Sequence, residues 1–290
     1  MTNNLRGIIL MTLAAAGFVC NDAIMKYLSQ QMPVAQAIFL RGLPTTLALA
    51  ALAAHQRVLG FRPERRDLRL IGWRTFGEVA GSITFLVALV TMPLATLTAI
   101  MQSVPLAVTL AAALFLRAPI GVRRLAAIII GFAGVMLIVR PGAGAFGAES
   151  ILGLLTVGFV VLRDLTTRQL ARAVPSVIVA LVASAAVMVM GAIWMGFAGG
   201  WVPVSAGQGA LVCLCAAFLI AGYLGVIAAM RVGDVDVVAP LRYVGLVFAL
   251  VLGWAVFGDW PDLATFVGAG IVVATGLYTF QRERKLARAR

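Results

Sequence analysis

The sequence predicts an all-α integral membrane protein: ten transmembrane helices arranged as a 5+5 inverted repeat, with both termini in the cytoplasm. Three observations predict it. The first is composition, because 62% of the 290 residues are hydrophobic and only 12% are charged. Soluble domains carry roughly a quarter charged residues, so this chain cannot cover a globular surface with water-loving side chains. The second is a series of ten apolar runs, each close to the ~20 residues that cross a bilayer. The third is the placement of Lys and Arg, which gather in alternate connections.

Taken in order, a window of roughly 19 residues puts spans at 6–28, 34–54, 70–90, 92–116, 121–139, 150–170, 175–197, 207–231, 234–257 and 261–281. Span 1 follows Arg6 and runs past Cys20 into Asn21, Asp22 and Lys26 without a small-x-small cleavage pattern. It therefore reads as an uncleaved helix and not as a signal peptide. Between spans 2 and 3 lies the one long connection, 55–69, which holds Arg57, Arg62, Arg65, Arg66 and Arg69. Span 4 carries Gln102 and then Pro105. Span 9 carries Pro240, whose missing amide is expected to loosen that helix beside a cavity. Gly77 and Gly81 on span 3, and Gly270 with Ala274 on span 10, read as small-residue faces for helix contact.

With the N-terminus inside, the cytoplasmic side collects Arg6, the five arginines of the long connection, Arg117, Arg123, Arg124, Arg168, Arg172, Arg231, Arg282, Arg284, Lys285, Arg288 and Arg290, which is 17 of the 23 Lys and Arg. The outside keeps Lys26 and Arg140, while Arg41, Arg74, Arg163 and Arg242 fall within spans. This asymmetry sets the orientation. The formal charge of +12 thus reports membrane topology, since nucleic-acid binding needs cations clustered on one folded face.

Laid over each other, the two halves match in part. Gly17, Phe18 and Val19 fall on Gly158, Phe159 and Val160 at an offset of 141. At 142, Asp22 falls on Asp164, Lys26 on Arg168, Pro33 on Pro175, Pro119 on Pro261, Ala127 on Ala269 and Gly134 on Gly276, although Gly131 falls opposite Val273. Five helices is an odd number, so the second copy enters the membrane from the opposite side. The expected division is a first repeat at 1–140, a second at 141–281 and a basic tail at 282–290.

Charges inside spans mark the candidate site, because each costs roughly 2.5–3.5 kcal/mol at mid-membrane unless paired or hydrated. Asp22 lies in the outer part of span 1, Arg41 in the outer half of span 2, Glu78 in the inner part of span 3, and Arg163 with Asp164 past the middle of span 6. For Glu78, Asp22 and Asp164 there is a structural reading beside the functional one. Glu78 has Arg74 four residues earlier, Asp22 has Lys26 and Asp164 has Arg168 at the same spacing. Adjacent Arg163 and Asp164 point about 100° apart and are not expected simply to neutralise each other. Arg242 follows Pro240 and precedes Tyr243, which suits the carboxylate of a substrate or a fixed pair with Asp164 or Glu78. Its counterpart at an offset of 140 is the uncharged Gln102. Met101, Phe85 and Tyr223 line an apolar cavity in this reading, core or lipid contact being the plainer one.

Enzymatic patterns are absent from the sequence. The single histidine, His55, stands at the inner end of span 2, and there is no H-E-x-x-H, G-x-S-x-G or Walker pattern. Cys20, Cys213 and Cys215 lie in apolar runs, and C-x-C alone does not make a zinc site, so they read as small buried residues and no cofactor or metal is expected.

The segments L-A-T-L-T-A-I-M-Q-S-V-P-L at 94–106, G-F-V-V-L-R-D-L-T-T-R at 158–168, A-P-L-R-Y at 239–243 and F-G-D-W-P-D at 257–262 resemble the drug/metabolite transporter superfamily, in its ten-helix EamA-type branch. One segment departs from it: L-R-A-P at 116–119 stands where such proteins often place a glutamate. The resemblance implies a transporter of the bacterial inner membrane, most like small amino-acid and metabolite exporters, with a small-molecule substrate and the lipid bilayer as partners. Export of zwitterionic amino acids with apolar or aromatic side chains is the first expectation. Uptake or exchange of a cationic or nucleotide-derived metabolite such as S-adenosylmethionine is the second, and a structural membrane protein or channel is the alternative of another class.

Overall fold

A computed structural model describes residues 3–118, 120–140, 147–197 and 200–288. Among the described residues are ten helices long and apolar enough to cross a membrane: span 1 Asn3–Leu28, span 2 Val34–His55, span 3 Arg65–Thr91, span 4 Leu94–Phe115, span 5 Val122–Val139, span 6 Ala148–Gln169, span 7 Ser176–Phe197, span 8 Ala206–Val232, span 9 Ala239–Phe257 and span 10 Leu263–Arg282. Each overlaps its expected run. Pro119 of the repeat alignment, residue 141 at the expected repeat boundary, Arg290 and the side chains of Arg284, Lys285 and Arg288 lie outside the described residues.

Local chemistry explains where the helices begin and stop. Pro33 and Pro93 hold extended backbone immediately before spans 2 and 4, since a proline suits a helix entrance and lacks only an amide that the helix would not use. Span 8 opens on a capping box, in which the Gln208 amide donates to Ser205 Oγ and the Ser205 amide donates to Gln208 Oε1. Span 9 closes at Gly258, whose φ of 69° is left-handed and easy only for glycine.

Two spans depart from continuous α-helix. Span 9 starts as a tight 3₁₀ stretch, Ala239–Tyr243, before turning α-helical at Val244–Phe257, as Pro240 leads one to expect. Span 4 is divided into Leu94–Met101 and Val104–Phe115 around Gln102 and Ser103. There Pro105 cannot donate to the Met101 carbonyl four residues back. Ser103 Oγ donates to the Ile100 carbonyl at 2.7 Å, a side-chain bond inside the interrupted turn.

Span 1 packs most extensively against span 8, span 3 against span 6, span 2 against span 7 and span 5 against span 10. Span 1 also meets span 9, span 4 meets spans 6 and 9, span 2 meets span 8, and span 3 meets span 7. Small residues permit the closest of these approaches. A methyl group placed on Gly77 would sit 2.8 Å from the Phe159 carbonyl oxygen of span 6. Gly81, one turn on, faces Phe159 and Val160, so the G-x-x-x-G of span 3 is a contact face as expected.

On span 10 the expectation needs correcting. Gly270 faces open space, while Gly268 lies against the Gly134 carbonyl and Ile138 of span 5. Two residues are about 200° around a helix, so the contact falls on the opposite side from the one the Gly270 and Ala274 pattern suggested. Away from these contacts, large apolar side chains such as Leu47, Leu114, Ile129 and Leu224 are exposed. On a soluble protein such a surface would invite association, whereas here it suits acyl chains.

Candidate functional site

The two broken spans touch. Gln102 Nε2, at the interruption of span 4, reaches the Arg242 carbonyl oxygen in the 3₁₀ stretch of span 9 at 3.5 Å. Arg242 meets Gln102 through its backbone, and its own side chain is exposed. Neither carboxylate suggested as its structural partner pairs with it, because Glu78 and Asp164 are held by other arginines. Tyr243 turns toward span 10, where its hydroxyl overlies Gly276 so closely that no side chain fits there. It also borders an apolar crevice of about 300 Å³ between spans 4, 9 and 10, which includes Ala99, Leu246 and Phe266. Met101 and Phe85 are half-buried and pack against the main core.

Spans 3 and 6 carry a four-charge network. Glu78 lies between Arg74, at 3.3 Å, and Arg163, at 3.7 Å. Arg163 Nε in turn donates to Asp164 Oδ1 at 2.9 Å. The expectation that these neighbours cannot neutralise each other is therefore corrected: the Cβ directions diverge, but the arginine stem is long enough to fold its head back. Asp164 accordingly takes Arg163, one residue away, and not Arg168. The pair of Arg74 with Glu78 stands as expected. Tyr223 of span 8 lies within electrostatic reach of Glu78, Arg163, Arg74 and Arg41, and its ring meets Phe18 of span 1 edge to face at 5.3 Å.

Asp22 is set by a relay. The buried Cys215 thiol of span 8 donates to Asn21 Oδ1 at 3.0 Å, and Asn21 Nδ2 donates to Asp22 Oδ1 at 2.9 Å. Arg41 of span 2 is within electrostatic reach of Asp22, Cys215 and Tyr223. Lys26 does not pair with Asp22. It is 5% exposed, lies 3.4 Å from Asp259 beyond span 9, donates to the Met92 carbonyl between spans 3 and 4, and stands 5.2 Å from the Phe257 ring. A lysine at the end of a helix reaches sideways more easily than back along its own axis when a neighbour offers both a carbonyl and an acid.

Of the predicted residues, then, Glu78, Arg163 and Asp164 come together with Tyr223 nearby, Gln102 meets the backbone of Arg242, and Asp22 stands apart. Sequence reasoning gave no role to Arg41 and read Cys215 as apolar filling. The available signal was the isolation of Arg41 in an apolar run, which by itself demands a partner or water.

Comparison with known proteins agrees with this architecture. Residues 5–140 match the EamA-like transporter family. The first part of the chain is thus similar to that family. Its curated relatives are similar over nearly their full length. The pseudopaline exporter CntI of Pseudomonas aeruginosa (strain UCBPP-PA14) is 25% identical over 284 residues, covering 96% of this chain and 97% of the relative. The S-adenosylmethionine uptake transporter of Rickettsia conorii (strain ATCC VR-613 / Malish 7) is 24% identical, covering 97% and 94%. The riboflavin transporter of Vibrio cholerae serotype O1 (strain ATCC 39315 / El Tor Inaba N16961) is 27% identical, covering 98% and 96%. A protein of known crystal structure shares the fold with a TM-score of 0.65 at 19% identity, over 98% of this chain and 99% of that one. The chain is a multi-pass membrane protein whose relatives are transporters of small molecules.

Proposed function

We propose that the protein is a secondary transporter of a bacterial inner membrane that exports small zwitterionic metabolites, amino acids with apolar or aromatic side chains foremost, by alternating access. The observation that carries this reading is the balance of charge along the inner faces of spans 1, 2, 3, 6 and 8: Asp22, Glu78 and Asp164 against Arg41, Arg74 and Arg163. A substrate bearing both signs can meet such a wall without leaving a net charge in the membrane. The touching interruptions of spans 4 and 9 support a site near the midplane, where broken helices expose backbone groups.

The inverted repeat, with units at 1–140 and 141–281 and both termini cytoplasmic, is part of the same proposal. The packing supports it. Exchanging spans 1–5 with spans 6–10 turns the contact of spans 1 and 8 into that of 6 and 3, the contact of 1 and 9 into that of 6 and 4, and the contact of 2 and 8 into that of 7 and 3. Contacts 2 with 7, 4 with 9 and 5 with 10 map onto themselves.

Flux of a labelled amino-acid panel in proteoliposomes, with and without a pH gradient, tests the reading. Substrate-dependent flux of at least one amino acid is expected; none across the panel would overturn it. The relatives named as S-adenosylmethionine uptake transporters favour a second reading, uptake or exchange of a cationic or nucleotide-derived metabolite, and labelled S-adenosylmethionine belongs in the same panel.

A further inference from the structure

Most intramembrane charges of the inner network are already spent on one another: Glu78 faces two guanidiniums, and Arg163 faces two carboxylates. The outer part of the bundle differs. Among the described residues no carboxylate lies within 4.0 Å of Arg41, although Asp22 is close enough for the two charges to act on each other. Asp22 is half-buried, and its Oδ1 is occupied by Asn21 Nδ2. The Cys215 thiol fixes that amide by donating to Asn21 Oδ1, so the relay turns the NH₂ group, not the carbonyl, toward Asp22. The arrangement holds the carboxylate in place while committing only one of its oxygens.

Both residues lie at one depth. Asp22 is six residues from the outer end of span 1, and Arg41 is seven residues from the outer end of span 2. An opposite pair at equal depth, near but unbridged, leaves two charges that only water or a ligand can complete. We infer that Asp22 and Arg41 form a two-point receptor for the zwitterionic head group of the substrate, Arg41 taking the carboxylate through paired guanidinium donors and Asp22 taking the ammonium. This assignment rests on the zwitterion-transport reading above. It moves the recognition of the carboxylate from Arg242, where the sequence put it, to Arg41. The half-exposed Tyr223 of span 8 also lies within electrostatic reach of Arg41.

The test uses full-length protein in proteoliposomes, with labelled phenylalanine as probe and two unlabelled competitors. One is phenethylamine, which lacks the carboxylate, and the other is 3-phenylpropionate, which lacks the ammonium. In the unaltered protein each competitor should be at least about tenfold weaker than phenylalanine, as expected for the loss of one charge-assisted contact. Arg41→Gln should raise the KM for phenylalanine by about tenfold or more and leave inhibition by phenethylamine unchanged. Asp22→Asn should give the reverse pattern, sparing 3-phenylpropionate. Equal inhibition by all three compounds in the unaltered protein, or equal weakening of all three in either variant, would overturn the receptor assignment. So would phenylalanine transport within twofold of normal in both variants, while leaving the transport reading standing. Absence of flux for the whole amino-acid panel in the unaltered protein removes the transport reading instead. Should the variants not accumulate in the membrane, the competition series in the unaltered protein decides alone.

Discussion

Lys26 and Asp259 face each other at 3.4 Å across the C-terminal ends of spans 1 and 9, although 233 positions separate them in the chain. With the Met92 carbonyl and the Phe257 ring, this pair ties span 1 to the connections that follow spans 3 and 9, at the rim of a crevice of about 400 Å³. Replacing Lys26 with Met keeps the apolar stem and removes the tie, and Asp259, 31% exposed, keeps access to water. A cysteine introduced at the exposed Thr91, which borders the crevice, should then react several-fold faster with a membrane-impermeant maleimide added from outside. Unchanged labelling would mean that the tie does not hold the mouth.

Glu78 is expected to be structural in the first instance. Exchanging it for Gln leaves Arg74 without its acid and Arg163 with Asp164 alone. Removing one member of a mostly buried ion network costs about 3 kcal/mol, so thermal unfolding in detergent should begin several degrees lower. Adding Arg74→Leu to the same chain should return part of the loss, because the stranded cation goes with it.

Close packing of spans 3 and 6 predicts a contrast between two glycines. Gly77→Ala should destabilise by about 1–3 kcal/mol, since the added methyl meets a carbonyl oxygen that cannot turn aside. Gly270→Ala meets nothing within 4 Å. It should be neutral or slightly stabilising by helix propensity. Melting temperatures of the two variants read the difference directly.

Asp262, between spans 9 and 10, gives a pH dependence of known sign. The Thr265 amide donating to its Oδ1, assisted by Arg140, holds this carboxyl below its ordinary value. A depressed value means that the stabilisation is complete above the unfolded carboxyl's range of about 4 and is lost as pH falls through the lower folded value. Asp262→Ala should therefore melt below the unaltered protein at pH 7, and the gap should close as the pH drops below about 4. A gap independent of pH would assign the effect to the cap geometry and not to the charge.

Orientation is also testable. Cysteines at Leu59, in the basic connection after span 2, and at Leu286, in the tail, should label only from the cytoplasmic side, and one at Asp262 only from outside.

The helices were legible because a membrane span is a statement about composition, and ~20 apolar residues suffice to make it. Pro240 announced the interruption of span 9 by the same local logic. Pro105 carries an equal signal for span 4, but it enters the sequence reading only as following Gln102, and no break is drawn from it. Partnerships of the charges were far less legible. The i,i+4 rule found Arg74 with Glu78 and misassigned Lys26 and Asp164, because a flexible head group chooses among everything that packing brings within reach. Arg41 shows the other limit, for what matters there is a neighbour on span 1 and the absence of a bridge, and neither is a property of the local sequence.

The contact between Gln102 and Arg242 also has a mechanical side. From this one point the chain runs one way along 8 residues of Leu94–Met101 and 14 residues of Val244–Phe257, and the other way along 12 residues of Val104–Phe115. At about 1.5 Å per residue the longer arms measure roughly 18–21 Å, so a turn of about 10° about this fulcrum carries their tips by about 3–4 Å. A swing of that size approaches the width of a side chain, and it is obtained without unwinding any of the three helical arms.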